Sequence, residues 1–168
     1  MEKQNTSIPE HLNYLTTLVK SYEAYFRKNM GSVDINIGEI PILLAIYMDE
    51  GLNQIDLVKK FHVTEANISK TTKNLLYKGL IVKKIDAENN TKKLLFLTEQ
   101  GMEVCAHLLE IFENWKNEMK GDIPIEELHS FSKTLEKISI NAADSIKYSK
   151  YGLFFTFLIF HYFFNIFF

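Results

Sequence analysis

A chain of 168 residues is long enough for one domain with a proper core. Its formal charge of -2, taken whole, argues against a nucleic-acid partner. The single cysteine, Cys105, excludes an intrachain disulfide and fits a reducing cytoplasm. The start, Met1-Glu2-Lys3-Gln4-Asn5-Thr6, is polar and lacks the apolar run of a signal peptide. No repeat, low-complexity linker or second domain is visible before residue 150.

Ser7-Ile8-Pro9-Glu10 opens the first helix: Ser7 can cap, Pro9 suits the first turn, and Glu10 completes a capping box. Leu12, Leu15, Leu18/Val19, Tyr22, Tyr25/Phe26 and Met30 recur at helical spacing and demand a partner surface. A second helix begins at Gly38-Glu39-Ile40-Pro41 and runs through Ile42, Leu43, Ala45, Ile46 and Tyr47, with Pro41 tolerable because it sits in the first turn. Asn53-Gln54-Ile55-Asp56 reads as a capping box, since Asn53 can cap and Asp56 can bond back to it. The short helix that follows has its apolar positions at Ile55, Leu57, Val58 and Phe61, and only His62 and Val63 separate it from Thr64. Thr64 can cap the next helix and Gly79 can end it in a left-handed conformation. Ile68, Thr72 and Leu75 fall on one face of that helix, with Thr71 and Leu76 at its edges. The opposite face carries Glu65, Ala66, Ser69, Lys70 and Lys73. Short polar side chains and lysines suit a helix that enters a major groove, and equally an ordinary solvated surface.

Two helices joined by so tight a turn make a helix-turn-helix, whose second member is the reader. The runs Leu80-Ile81-Val82-Lys83-Lys84-Ile85-Asp86 and Lys92-Lys93-Leu94-Leu95-Phe96-Leu97-Thr98 are strand-like, and Asn89-Asn90 between them can take positive φ, so the pair reads as a hairpin. Thr98 caps a long helix with a stripe at Met102, Cys105, Leu109, Phe112, Trp115/Lys116 and Met119, which Gly121 ends. After Asp122-Ile123-Pro124, the positions Ile125, Leu128, Phe131, Leu135, Ile138, Ala142 and Ile146 mark a last helix to about Lys150. The fold class is therefore mainly α with a small β-hairpin wing, a winged helix-turn-helix lobe at about residues 38–98 flanked by long helices at about 7–30 and 98–150. These flanking helices cannot all bury their stripes on so small a lobe.

Charge is unevenly spread. Between Asn53 and Lys93 nine lysines (59, 60, 70, 73, 78, 83, 84, 92 and 93) face only Asp56, Glu65, Asp86 and Glu88, a surplus of five, whereas the remainder has 10 basic and 17 acidic residues. A basic module inside an acidic chain is the footprint of a DNA-binding lobe attached to something that must not bind DNA. Lysines 59, 60, 70, 73, 92 and 93 would neutralise phosphates, and Gln54 with the amides near Thr64 at a helix start would fix register. Base edges would be read by Ser69, Lys70 and Lys73, and by Glu65 with Ala66 against a thymine methyl.

The order and spacing of Gly51-Leu52-Asn53-Gln54-Ile55-Asp56-Leu57, Ile68-Ser69-Lys70, Leu75, Lys78-Gly79-Leu80-Ile81, Asp86 and Leu97-Thr98-Glu99-Gln100-Gly101 resemble the MarR (multiple antibiotic resistance regulator) family of transcription factors. The resemblance runs from about Gly38 to Gly101 and more loosely to about Ser149. It implies that the first and last helices intertwine with a second copy, giving a two-fold homodimer that presents two recognition helices to double-stranded DNA. It also implies a pocket between dimerisation helices and lobe for a small aromatic or apolar effector, with Tyr14, Tyr22, Phe26 and Tyr47 as lining residues; aromatic positions at this spacing also suit a core. Many members carry Asp and Arg at the wing tip, where this chain has Asn89 and Thr91; the wing contacts would then come from Asn89, Asn90, Thr91, Lys92 and Lys93. Some relatives sense peroxides through a cysteine near the N-terminus, but Cys105 lies far from there in an apolar stripe and reads as a buried thiol.

Catalysis finds no support. The five histidines (11, 62, 107, 129 and 161) form no His-x-x-x-His pair, one cysteine cannot build a thiolate zinc site, and no Gly-rich phosphate loop is present. The expectation is a cytoplasmic DNA-binding repressor with no cofactor or metal. The alternative is a dimeric winged-helix module that binds another protein without reading sequence. The tail at residues 151–168 lies outside the resemblance, holding eight of the thirteen phenylalanines and no Asp, Glu, Lys or Arg. Three readings stay open for it: a membrane anchor flanked by Lys147 and Lys150, a segment packed on the dimerisation helices, or a non-native extension of the kind AT-rich DNA encodes out of frame. The last is preferred, with the tail dispensable for DNA binding and harmful to solubility.

Overall fold

The computed structural model describes residues 10–61 and 63–146. The start expected at residues 7–9, His62 in the turn, the end of the last helix at 147–150 and the tail at 151–168 lie outside the described residues. The elements are α1 (Glu10–Asn29), a 3-10 turn (Ile37–Glu39), α2 (Ile40–Met48), α3 (Gln54–Phe61), α4 (Glu65–Tyr77), β1 (Ile81–Ile85), β2 (Lys93–Leu97), α5 (Glu99–Lys120) and α6 (Ile125–Ile146). This is the mainly helical winged arrangement expected, with one tight turn before α2 that the sequence reading had merged into the helix.

Each short element is bounded by local chemistry. Ile40 through Ile46 are all buried, because a helix apolar on every side is stable only inside other structure, and α2 is accordingly the inner helix of the lobe. At the start of α3, Asn53 Oδ1 accepts from the amides of Ile55 and Asp56 at 2.8 and 3.0 Å, and the Asn53 amide donates to Asp56 Oδ2 at 3.2 Å. Thr64 Oγ1 accepts from the Asn67 amide at 3.3 Å to begin α4. Its end is a Schellman motif, in which the Leu80 amide donates to the Leu75 carbonyl at 3.0 Å and that of Gly79 to Leu76 at 3.1 Å. Gly79 takes φ +69 there, a conformation that costs a side-chain-bearing residue about 1–2 kcal/mol.

The wing is an antiparallel pair in register from Ile81↔Leu97 to Ile85↔Lys93. Hydrogen bonds from Thr98 to the Leu80 carbonyl (3.1 Å) and from Asp86 to that of Lys92 (2.9 Å) carry the ladder one residue beyond each strand end, to the bounds read from sequence. The Leu95 amide donates to the Leu52 carbonyl at 2.8 Å, which ties the segment between α2 and α3 to the hairpin. At the tip Asn89 organises the turn: its carbonyl accepts from the Lys92 amide at 2.8 Å, and its Oδ1 accepts from the Thr91 amide and hydroxyl at 3.1 and 2.7 Å.

Tyr22 and Phe26 of α1 and Met30 just after it are buried while Leu15 is exposed; Tyr22 packs against Phe112 and Trp115 of α5 and Phe26 against Phe112, with ring centroids 4.5–6.0 Å apart. The buried face of α5 runs through Gly101, Val104, Cys105, Leu108, Ile111, Phe112 and Trp115; of the expected stripe Cys105, Phe112 and Trp115 lie on it, Leu109 and Met119 pack at its edge, and only Met102 lies outside. At the start of this face an added Cβ on Gly101 would stand 2.0 Å from the Leu80 carbonyl oxygen. So close an approach pins the Gly101 side of the helix to the base of the wing. Leu15 of α1 and Ile125 and Ile138 of α6 stay exposed, whereas Leu128 and Leu135 are buried. Among the described residues no helix is long and apolar enough to cross a membrane.

Candidate nucleic-acid interface

Recognition-type chemistry requires a helix held rigidly by one face and open on the other. On α4 the held face is Ile68, Thr71, Thr72 and Leu75, all buried. Glu65, Ala66, Lys70 and Lys73 are exposed on the opposite face, with Ser69 half-buried between them. Lys59 is exposed on α3, and Lys60 lies 3.6 Å from the Asp49 carboxylate. All of Asn89, Asn90, Thr91, Lys92 and Lys93 are exposed at the wing tip. The structure thus gathers the sequence-derived residues into two exposed sets, one along α4 and one at the end of the hairpin.

Two polar side chains of the segment have partners inside the fold. The Gln54 side chain donates to Thr72 Oγ1, whose single proton is directed to the Ile68 carbonyl (2.8 Å), with that of Ser69 at 3.2 Å. Gln54 thereby fastens α3 to α4. Lys78, counted among the basic module, is spent internally: its Nζ donates to Glu39 Oε2 at 2.7 Å and lies 3.3 Å from Asp34, with the side chain 12% exposed.

Sequence reading passed over Glu39 altogether. Its carboxylate is 4% exposed and accepts four hydrogen bonds, from the Asn36 amide (2.9 Å) and Lys78 on Oε2, and from the side chains of Asn36 (3.2 Å) and Asn74 (3.1 Å) on Oε1. Burial alone would raise its pKa; the Asn36 amide, Lys78 and the two asparagine side chains outweigh that and hold it below the usual carboxylate value. Burial alone would lower Lys78; the carboxylates of Glu39 and Asp34 outweigh it and raise its pKa. A lone acid inside Ile37-Gly38-Glu39-Ile40, directly before a wholly apolar helix, is the signal that was available.

The four effector-pocket residues are not brought together. Tyr22 and Phe26 are core members of the aromatic cluster, whereas Tyr14 is 66% and Tyr47 41% exposed. A half-open cleft of about 410 Å³ lies elsewhere, lined among others by Asp34, Lys78, Leu80, Gln100, Glu103 and His107. Burial pushes the Cys105 thiol up to about 12, so it stays protonated at neutral pH.

Comparison with known proteins agrees with this geometry. The family model described as MarR family matches residues 35–92. The HTH-type transcriptional regulator Hpr of Geobacillus sp. (strain WCH70) is 31% identical over 150 residues, covering 82% of this chain and 73% of that protein. The uncharacterized HTH-type transcriptional regulator YdgJ of Bacillus subtilis is 26% identical over 107 residues, and the chain spans 65% of its length. A MarR protein from Peptoclostridium difficile superposes with a TM-score of 0.73 over 86% of this chain and 95% of its own, at 21% identity. Bordetella bronchiseptica BpsR, whose DNA binding is regulated by 6-hydroxynicotinic acid, superposes with a TM-score of 0.65 over 83% and 97%, at 16% identity. A held and capped helix with an open polar face, beside a hairpin wing, is thus found where sequence and fold comparisons converge, and the chain belongs to the MarR family of transcriptional regulators.

Proposed function

We propose that this regulator is a cytoplasmic homodimer that occupies a pseudo-palindromic operator in double-stranded DNA and represses by doing so. The observation that carries the reading is the exposed face of α4, where Lys70 and Lys73 flank the short side chains of Ala66 and Ser69 while the opposite face is locked into the lobe. In that role Ser69, Lys70, Lys73 and Glu65 with Ala66 address base edges, Thr64 and the start of α3 at Gln54 set register, and Lys59 and Lys60 meet phosphates. Asn89, Asn90, Thr91, Lys92 and Lys93 follow the backbone from the wing. Residues 1–150 act as one domain, whose exposed Leu15, Ile125 and Ile138 are covered by the second copy. A small aromatic or apolar effector, of the kind that regulates the related fold of BpsR, shifts the dimer away from the groove-competent spacing.

The test is binding to a duplex with two half-sites about 10 bp apart, across a salt series. Preference for that duplex over random sequence, with affinity falling steeply as salt rises, is the expected result. Lys73→Ala should weaken binding and lower the salt slope by about 1. Equal affinity for all duplexes would leave the protein-interaction module as the better reading.

A further inference from the structure

We propose that Glu39 and Lys78 form a clasp that fixes the rotation of α4 about its axis, so that Lys78 is a positioning residue for DNA reading and touches no phosphate. The inference rests on α4 being the reading helix. The apolar seam of Ile68 and Leu75 would by itself tolerate rolling, since hydrophobic contact is non-directional. The Gln54 bond to Thr72 restrains α4 from the α3 side, and the carboxylate of Glu39 fixes a second edge by taking bonds from Asn74 and Lys78, which lie one turn apart, while Asn36 holds the other lone pairs. Every acceptor site of the buried carboxylate is filled from a fixed direction, and rotation of α4 in either sense breaks at least one charge-assisted bond.

Helical geometry separates Lys78, the C-cap of α4, from most of the reading face. At about 100° per residue it sits about 140° around the helix from Lys73 and about 180° from Ser69; Lys70 is about 80° away but about two turns nearer the helix start, and Lys78 is held on the flank that meets Glu39. Its charge is offset by Glu39 and Asp34, which leaves little to release counterions. The lysine therefore belongs to the scaffold, although in sequence it looks like one more member of the basic module.

Intact dimeric protein carrying Lys78→Met, Lys78→Arg, or Glu39→Gln with Lys78→Met is titrated with the operator duplex and with a random duplex over a salt series. The double variant leaves no unpaired buried charge and guards against simple loss of folding. For Lys78→Met and the double variant, operator affinity should fall by about tenfold or more, the worth of a misplaced base contact, with random-duplex affinity and salt slope unchanged. Lys78→Arg keeps a donor for Glu39 and should retain operator preference. A salt slope lowered by about 1 in Lys78→Met, as for a phosphate contact, overturns the proposal. So does unchanged operator preference in the folded double variant. If the unaltered protein prefers no duplex, it is the DNA-reading function that fails, a result distinct from either.

Discussion

The lobe and the helices that flank it are built by different rules. From Asn53 to Thr98 nearly every boundary is set by a bond between residues two to five apart, in the Asn53 and Thr64 caps, the Gly79 Schellman turn and the Asn89 turn of the wing. The lobe packs its core around α2, with α5 closing one side of it. By contrast α1 and α6 are long, and they expose Leu15, Ile125 and Ile138 that no described part of the chain covers. Boundaries set by neighbours can be read from one sequence, whereas the uncovered apolar positions of α1 and α6 can be read only as a deficit, which the proposed second copy would fill.

Opening the lobe core should have the largest effect on stability. Leu43 is fully buried in the middle of α2, and Leu43→Ala should cost about 2–5 kcal/mol through lost burial and the cavity left behind. Denaturant unfolding measures it. A cost below about 1 kcal/mol would mean that the lobe is less tightly packed than its burial implies. On the other side, Ile138→Asp introduces a charge on the exposed edge of α6, and in a two-fold interface it enters twice. The expected result is loss of dimer by about 2–4 kcal/mol, on the scale of an interface hot spot, with the unfolding of the lobe unchanged. Sedimentation showing an intact dimer would remove α6 around Ile138 from the interface.

Legibility followed the same division. Helix starts at Asn53, Thr64 and Thr98, the stop at Gly79 and both strands were visible because each depends on neighbours in sequence. The stripe of α5 was legible at Cys105, Phe112 and Trp115 but not at its start, where Met102 is exposed and Gly101 instead meets the Leu80 carbonyl, 21 residues earlier in the chain. In the candidate site, the exposed face of α4 was legible from periodicity. The internal commitments of Gln54 to Thr72 and of Lys78 to Glu39 were not, because partners 18 and 39 positions apart leave no periodic trace. Polar residues inside a basic segment look alike until the fold shows which are already spent.

The seam between the two regions can be tested at Gly101 itself. It is buried in the first turn of α5, directly after the cap in which Thr98 Oγ1 accepts from the Gly101 amide at 2.9 Å and donates to the Gly79 carbonyl at 2.6 Å. Gly101→Ala raises helix propensity by about 1 kcal/mol and would stabilise an isolated helix. Here the added methyl meets backbone rather than a movable side chain, so the wing base must separate from α5, and a net loss of about 1–3 kcal/mol is expected. A variant more stable than the parent in thermal unfolding would show that the approach relaxes freely.

The smallest expected effect is a pH dependence confined to the lobe. The folded-state pKa of Glu39 is lowered from the ordinary 4.5. A depressed carboxyl contributes stability that is fully present above the unfolded value and is lost as pH falls through the folded one, so the clasp should weaken from about pH 4.5 downward. Lys78 has the opposite sign: its pKa is raised from 10.5, and its contribution is complete below that value and lost as pH rises beyond it. At neutral pH neither group changes state, which is why the effect ranks last. Unfolding midpoints measured below pH 5 should fall less steeply for Glu39→Gln than for the parent, because the amide has no proton to gain. Parallel curves for the two proteins would mean that the acid sensitivity arises elsewhere, and that Glu39 holds α4 without its ionisation contributing to the hold.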